Sequence, residues 1–141
     1  MLPDRVIECR GEGYLTRQLV LAAFRDLDEI LAREPGRFDF LSDGLEVDGF
    51  DAGIPIALIR WASARADRYV SSAIVVRNHT LYAVARTFAY LLPTIPVAVF
   101  RTREEAFEYL ASPPSRVPPT AESIVATRRG KRASLRAPAL R

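Results

Sequence analysis

Two short runs of consecutive apolar residues, separated by a stretch of helical periodicity, dominate the middle of the chain. Residues 69–76 and 95–100 are rich in β-branched side chains, whereas the apolar residues between them recur every three or four positions as far as Leu92. This connection is too long for a hairpin, so the pattern predicts a β-α-β unit with parallel strands. Parallel strands are buried on both faces, which explains why these runs do not alternate with polar residues.

The N-terminal part predicts another strand followed by a long helix. Residues 5–10 alternate weakly and are followed by Gly11 and Gly13, which suits a strand that continues or doubles back through Tyr14. Thr16 is a suitable N-cap for a helix running to Arg33. The apolar stripe of this helix consists of Leu19, Val20, Ala23, Phe24, Leu27, Ile30 and Leu31.

A second strand, a loop and a second helix are predicted next. Residues 38–41 form the strand, and residues 56–67 form the helix, with Trp61 on its buried face. Residues 43–53 contain three glycines and four carboxylates, a composition that favours a loop.

Two further helices follow the central strands. Asn78 and Thr80 are competent N-caps for the helix that leads to Leu92, and Thr102 with Glu105 has the spacing of a capping box. The resulting order, β-α-β-α-β-α-β-α, predicts an α/β fold with a four- to five-stranded, mostly parallel sheet and helices packed on it.

Composition divides the 141 residues into two parts. Residues 1–111 carry 16 carboxylates and 13 arginines and form the predicted domain. Residues 112–141 begin with a proline-rich stretch and carry seven basic groups against Glu122 alone. This segment lacks apolar periodicity, so we predict an extended or disordered tail.

The chain has the composition of a soluble protein. It contains no uninterrupted apolar run of the ~20 residues that a membrane span needs, and its N-terminus lacks the pattern of a secretory signal. Cys9 is the single cysteine and cannot form an internal disulfide, so it is interpreted as a small buried apolar residue. We therefore expect a cytoplasmic protein without a membrane span.

Four segments form a recognisable combination: a glycine before the first long helix, the strand at 38–43, the strand at 73–76, and above all the closing strand at 95–100 with the Glu-Glu-Ala helix that ends at Leu110. This combination resembles the STAS superfamily, and most of all its bacterial branch related to the anti-sigma-factor antagonists. The resemblance covers about residues 5–111. It implies a non-enzymatic regulatory module that binds another protein and uses no cofactor, and a homodimer is compatible with it.

The resemblance also directs attention to the acidic segment. In the phosphorylation-switched antagonists, a serine or threonine at the start of the helix after the second core strand is modified by a partner kinase, whereas residues 48–54 here contain no hydroxyl group. A fixed carboxylate such as Asp51 could mimic the phosphorylated form, or the switch is not used. We expect partner binding through residues 43–53 and the following helix, at Asp43, Gly44, Glu46, Asp48, Asp51 and Gly53.

The acidic segment and the single histidine match no recognised catalytic or metal-binding signature. The carboxylates of residues 43–51 do not meet the EF-hand pattern, and no recognised nucleophile motif accompanies His79, the only histidine. A candidate site for a small anion or ligand lies at the carboxyl ends of the central strands, where helix N-termini offer free N–H groups. Its residues would be Arg77, Asn78, His79, Arg101 and Thr102.

Two alternatives from other functional classes stay open. One is a carrier of a small ligand or lipid, because lipid-transfer folds share a similar sheet. A carrier would require an apolar cavity of several hundred Å³. The basic tail could instead bind nucleic acid or an acidic partner through phosphate neutralisation. The tail residues concerned are Arg128, Arg129, Lys131 and Arg132.

Overall fold

The computed structural model describes residues 6–111 and 132–136 of the chain. Within this part, one sheet has five strands in the order β4-β3-β2-β1-β5. The strands are β1 (Val6–Leu15), β2 (Phe38–Phe50), β3 (Tyr69–Val76), β4 (Val97–Phe100) and β5 (Arg132–Arg136). The helices are α1 (Arg17–Arg33), α2 (Ile54–Ser63), α3 (His79–Tyr90) and α4 (Arg103–Ala111), and a short 3-10 turn (Ala66–Arg68) precedes β3.

The strand pairings confirm the predicted parallel α/β architecture. β1 pairs with β2 and β5, and β3 pairs with β2 and β4, and all four pairs are parallel. In the last of these pairs, Ile74 of β3 lies beside Val99 of β4. Each successive pair of strands from β1 to β4 is joined by a helix, as the apolar periodicity predicted.

Side-chain caps fix where three helices begin. The Thr16 hydroxyl accepts a hydrogen bond from the Leu19 N–H at 3.2 Å, and the side-chain oxygen Oδ1 of Asn78 accepts one from the Thr80 N–H at 2.7 Å. At the start of α4 the Thr102 hydroxyl accepts a hydrogen bond from the Glu105 N–H at 3.2 Å, which is one half of the predicted capping box, and it donates to the Glu105 carboxylate at 3.1 Å.

Different helices cover the two faces of the sheet. On the face that we call the helical face, Ile7 and Phe40 pack with the apolar stripes of α1 and α2, and Ile74 and Val76 pack with α3. On the opposite face, α4 packs its Ala106, Tyr109 and Leu110 against β1, β2 and β3. This division follows from the alternation of side chains along each strand.

The predicted loop at residues 43–53 is mostly strand, so this prediction was wrong. β2 continues to Phe50 and pairs along its length with β1, with irregularities between Arg10 and Glu12 and between Gly13 and Tyr14. Those irregularities accommodate the glycine-rich sequence, and Gly13 adopts a φ of 70°, which favours glycine. The exposed carboxylates Glu46 and Asp48 alternate with partly buried residues, as in a strand with one exposed face.

Part of the predicted tail also differs from the expectation of disorder. Arg132–Arg136 forms β5 beside β1, with Val6 next to Arg132 and Arg10 next to Arg136. Residues 112–131 and 137–141 lie outside the described residues, so the boundary at residue 111 stays a prediction.

Candidate functional site

An apolar cavity lies between the helical face of the sheet and helices α1, α2 and α3. Its volume is about 260 Å³. The sheet contributes Phe40, Ile74 and Val97 to its lining, and the helices contribute Phe24, Leu27, Leu58, Trp61, Leu81 and Phe88. Many of the residues that line the cavity thus also belong to the main hydrophobic core.

Small side chains in the sheet explain why this space is not filled. On the helical face, Cys9 lies beside Ser42, Phe40 lies beside Ser72, and Gly44 lies beside Val76. Cys9, Ser42, Gly44 and Ser72 all line the cavity. Helices resting on the larger neighbours of these residues cannot reach the sheet above the small ones, so a space remains.

Gly44 could not be replaced by a larger residue without movement of its neighbours. A Cβ atom at this position would lie 3.2 Å from the Val75 carbonyl oxygen and 3.2 Å from a methyl group of Val76. The close approach of β2 and β3 at the cavity thus depends on this glycine.

Trp61 forms one wall of the cavity and is held in place by two contacts. Its ring stacks on Phe24 of α1, with 5.1 Å between ring centroids and 11° between ring planes. The Arg65 guanidinium lies 4.5 Å from the indole centroid and forms two hydrogen bonds, of 2.6 and 2.9 Å, with the Asp28 carboxylate. Arg65 also donates to the Trp61 carbonyl oxygen at 2.9 Å, so α1 and α2 are joined at the indole.

Two ionisable groups of the cavity lining, Cys9 and Tyr69, are held in their neutral forms. Burial and the neighbouring Glu8 carboxylate raise the pKa of the Cys9 thiol to about 12. Burial raises the pKa of the Tyr69 hydroxyl well above its ordinary value of 10.0. Near neutral pH the thiol and the phenol therefore carry no charge.

A buried carboxylate pair occupies the opposite face of the sheet. Glu8 and Asp43 are 4% and 5% exposed, and Arg103 of α4 forms ion pairs with both, at 3.0 Å to Glu8 and closer still to Asp43. Arg10 adds a contact of 3.4 Å to Asp43. Partial burial lowers the pKa of Arg103, but its hydrogen bonds to Glu8 and Asp43 outweigh this effect and raise the pKa overall.

These contacts change the interpretation of the acidic segment. Asp43 is buried in an ion-pair cluster, and Gly44 lines the cavity, so neither belongs to an exposed loop. The Asp51 carboxylate accepts a hydrogen bond from the backbone N–H of Arg17 at 2.8 Å. A further hydrogen bond between Asp51 and the Tyr14 hydroxyl raises the pKa of that phenol. Glu46, Asp48 and Gly53 are the exposed members of the predicted contact face.

The predicted anion site is assembled, but its polar groups bind one another. Arg101 donates to the Arg77 carbonyl oxygen at 3.3 Å, and its guanidinium lies 3.2 Å from His79 Nδ1. Asn78 and Thr102 cap α3 and α4. The five residues do meet at the carboxyl ends of β3 and β4, and anion binding there stays a prediction.

Of the four basic tail residues that could contact nucleic acid, only one lies within the described residues. Arg128, Arg129 and Lys131 lie outside the described residues, and Arg132 begins β5. Within residues 6–111 and 132–136, no group of three or more His, Cys, Asp or Glu side chains is arranged to hold a metal ion. In the same residues no helix combines the length and apolar character needed to cross a membrane.

Comparison with known proteins identifies the fold. No protein-family model matches the chain, and no curated protein is detectably similar to it. Among solved structures, the chain is similar to an uncharacterized protein of the DUF3478 family with a SpoIIAA-like fold, from Shewanella loihica PV-4. The two are 15% identical, the match covers 70% of this chain and 79% of that chain, and the TM-score is 0.54.

At this level of identity the similarity shows the fold alone. The chain has a SpoIIAA-like α/β fold, which is the fold of the STAS and anti-sigma-factor-antagonist proteins. The fold that the family resemblance implied is thus confirmed, while the bacterial branch within the superfamily stays a prediction.

Sequence reasoning placed Trp61 on a buried helix face and did not assign it to a site. The available signal was the set of small residues at otherwise apolar strand positions, Ser42, Ser71 and Ser72 among them. Ser71 faces away from the cavity and donates to Asp39 at 2.7 Å, so the signal alone would have selected a wrong residue too.

Proposed function

We propose that the protein binds a small, predominantly apolar molecule in the cavity between the helical face of the sheet and helices α1–α3. The observation that carries the proposal is the cavity itself: about 260 Å³ of space lined almost entirely by aliphatic and aromatic side chains. Such a cavity is the feature that the carrier hypothesis requires and a solid core would lack. Ligand pockets are commonly of this apolar character, with a few polar groups that orient the ligand.

The volume sets the size of the ligand. An apolar cavity of ~150 Å³ binds benzene, so a cavity of about 260 Å³ suits a molecule of roughly ten non-hydrogen atoms. The neutral state of Cys9 and Tyr69 favours an uncharged ligand, because a charge would have to leave water without a free counter-charge. A full-length membrane lipid would not fit unless the helices move apart.

A titration with alkylbenzenes tests the proposal directly. Trp61 is the only tryptophan and lines the cavity, so its fluorescence reports ligand entry. We expect n-butylbenzene to change the emission, with a dissociation constant on the order of 10–100 μM. Isothermal calorimetry with the same ligand provides a measurement that does not depend on the indole.

Two alanines of α3 supply a matched pair of variants. Ala85 is buried and lines the cavity, whereas Ala83 is exposed on the same helix. Ala85→Leu should fill part of the space and weaken binding about tenfold or more. Ala83→Leu should bind as wild type does. Equal affinity of all three proteins, or no binding to any of them, would contradict the proposal.

A second candidate function is partner binding by a non-enzymatic regulatory module in the cytoplasm. The STAS-type fold supports it, as does the exposure of Glu46, Asp48 and Ile56 at the carboxyl end of β2 and on α2, with Ile56 59% exposed. An exposed aliphatic residue beside carboxylates is a suitable docking surface for a partner with a complementary basic rim.

A pull-down from native lysate compares this surface with another acidic position. Asp48→Arg should reduce recovery of a specific partner, while Asp67→Arg, a reversal at an exposed aspartate of the 3-10 turn, should not. Recovery of the same proteins by wild type and both variants would exclude the surface around Asp48 as the contact face.

A further inference from the structure

The sheet forms the floor of the cavity, and a serine of this floor has a hydroxyl without a partner. Ser72 of β3 lines the cavity and is only 6% exposed. Its hydroxyl forms no hydrogen bond with any of residues 6–111 or 132–136. Burying a hydroxyl without a partner costs free energy, so a buried serine of this kind requires an explanation.

The register of the sheet fixes the side to which Ser72 faces. Ser72 lies between Phe40 of β2 and Val97 of β4, and both of these residues pack in the core beneath the helices. Side chains that are paired across a sheet share one face, so Ser72 faces the helices as well. The preceding residue, Ser71, faces the other side and donates to Asp39 at 2.7 Å. Because neighbouring strands cover Ser72 on both sides, its remaining exposed surface opens toward the cavity.

A second serine lies diagonally across from Ser72 on the same floor. Ser42 follows Phe40 by two positions on β2, so it has the same facing, and it also lines the cavity. Its hydroxyl likewise forms no hydrogen bond within the described part of the chain. Diagonal neighbours on one face of a sheet are roughly 7–8 Å apart, a distance that one ligand oxygen placed between the two hydroxyls can bridge.

We infer that Ser42 and Ser72 select an uncharged, predominantly apolar ligand that carries a hydroxyl group. This inference rests on the proposed function and narrows its ligand class. A ligand hydroxyl can accept from one serine and donate to the other, whereas a ketone or ether oxygen can only accept. A hydrocarbon in the same place leaves both serine hydroxyls buried without a partner.

A matched pair of ligands isolates this contact. 3-Phenylpropan-1-ol has the same skeleton as n-butylbenzene, with a hydroxyl group in place of the terminal methyl group. Calorimetry would measure both ligands with wild type and with the double variant Ser42→Ala/Ser72→Ala. Comparison of the two ligands cancels their difference in hydration and the effect of the extra space in the variant. Ser71→Ala is the control, because it removes a hydroxyl from the same strand on the opposite face.

We expect the double variant to weaken 3-phenylpropan-1-ol relative to n-butylbenzene by about fivefold, the effect of one neutral hydrogen bond. Ser71→Ala should change the affinity for both ligands by the same factor. Equal changes for both ligands in the double variant would overturn the inference and leave the proposed function intact. If neither ligand binds wild-type protein, the proposed function fails and the inference fails with it. Thermal unfolding establishes that each variant is folded at the titration temperature.

A crystal structure of wild-type protein with 3-phenylpropan-1-ol gives a second, independent result. We expect the ligand oxygen to lie within about 2.5–3.0 Å of Oγ of Ser42 or Ser72, the range of a hydrogen bond between hydroxyl groups. A ligand that occupies the cavity with its oxygen away from both serines would overturn the inference.

Discussion

The indole of Trp61 lies parallel to the ring of Phe24, with 5.1 Å between their centroids. These residues belong to α2 and α1, so the stacked pair joins two helices that surround the cavity. Arg65 strengthens the same junction through Asp28. The cavity therefore has a wall that is rigid on the side of the only tryptophan.

Phe24→Leu should destabilise the protein and change the environment of Trp61. Loss of the stacked ring and its buried area should lower the free energy of unfolding by about 1–3 kcal/mol. Urea unfolding followed by circular dichroism measures this change, and tryptophan emission should shift to longer wavelength. Leu21→Ala, at a position of α1 that is 37% exposed, serves as the control and should have a much smaller effect. Equal destabilisation by both substitutions would contradict this account of the pair.

Arg103→Met should destabilise the protein because it leaves two carboxylates, Glu8 and Asp43, buried with less positive charge. Arg103 is itself partly exposed and Arg10 remains nearby, so we expect a loss of about 2 kcal/mol in the free energy of unfolding. Arg86→Met is a control on the exposed side of α3. Combination with Asp43→Asn should cost less than the sum of the single changes. Additive effects would show that the pair is not coupled.

The Cys9 thiol should make stability depend on pH in the alkaline range. Below its ordinary pKa of 9.0 the thiol is protonated in both the folded and unfolded states and contributes no slope. Between 9.0 and about 12 the unfolded chain releases the proton while the folded protein keeps it. The free energy of unfolding should therefore fall as pH rises, by up to about 1.4 kcal/mol per pH unit.

Urea unfolding of wild type and Cys9→Ala at several pH values from 8 upward isolates this contribution. Both proteins share every other titrating group, so the difference between their free energies of unfolding should change above pH 9.0 and stay constant below it. A difference that does not vary with pH would mean that the thiol ionises in the folded protein as it does in the unfolded chain.

The nucleic-acid alternative predicts that the basic tail retains DNA and RNA at low salt. Removal of the chain after residue 111 is a poor test because it also removes β5 from the edge of the sheet beside β1. Arg128→Glu with Arg129→Glu leaves β5 intact and should weaken retention on a DNA column. The control is Arg25→Glu with Arg33→Glu, two exposed positions of α1 that give the same net charge. Equal elution of the two double variants would count against a role for the tail.

Most of the fold could be predicted from local patterns. The continuous apolar runs around Ile74 and Val97, joined by a helix-length segment, allow only a parallel pair, and the caps at Thr16 and Thr102 lie where the sequence places them. The length of β2 could not be predicted, because glycines and carboxylates at residues 43–50 favour a turn unless a partner strand is present. That partner is the equally long β1, a contact between residues distant in sequence.

The site was less accessible to sequence reasoning for a related reason. A cavity arises where small side chains from several elements face the same space, as Ser42, Ser72 and Ala85 do. The pattern within any single segment therefore does not predict it. The burial of Asp43 likewise depends on Arg103, which lies 60 positions further along the chain. Composition near Asp43 indicated an exposed acidic loop, and only the packing of α4 shows otherwise.

The proposed ligand binding requires an apolar space beneath α1, α2 and α3 that small molecules can enter. Xenon occupies apolar cavities of this kind, so xenon uptake by a crystal is the decisive measurement. We predict a xenon atom among Phe40, Ile74 and Trp61, with no ordered water in the same space. Density for side chains that close the cavity, or for a water cluster that xenon does not displace, would contradict the account.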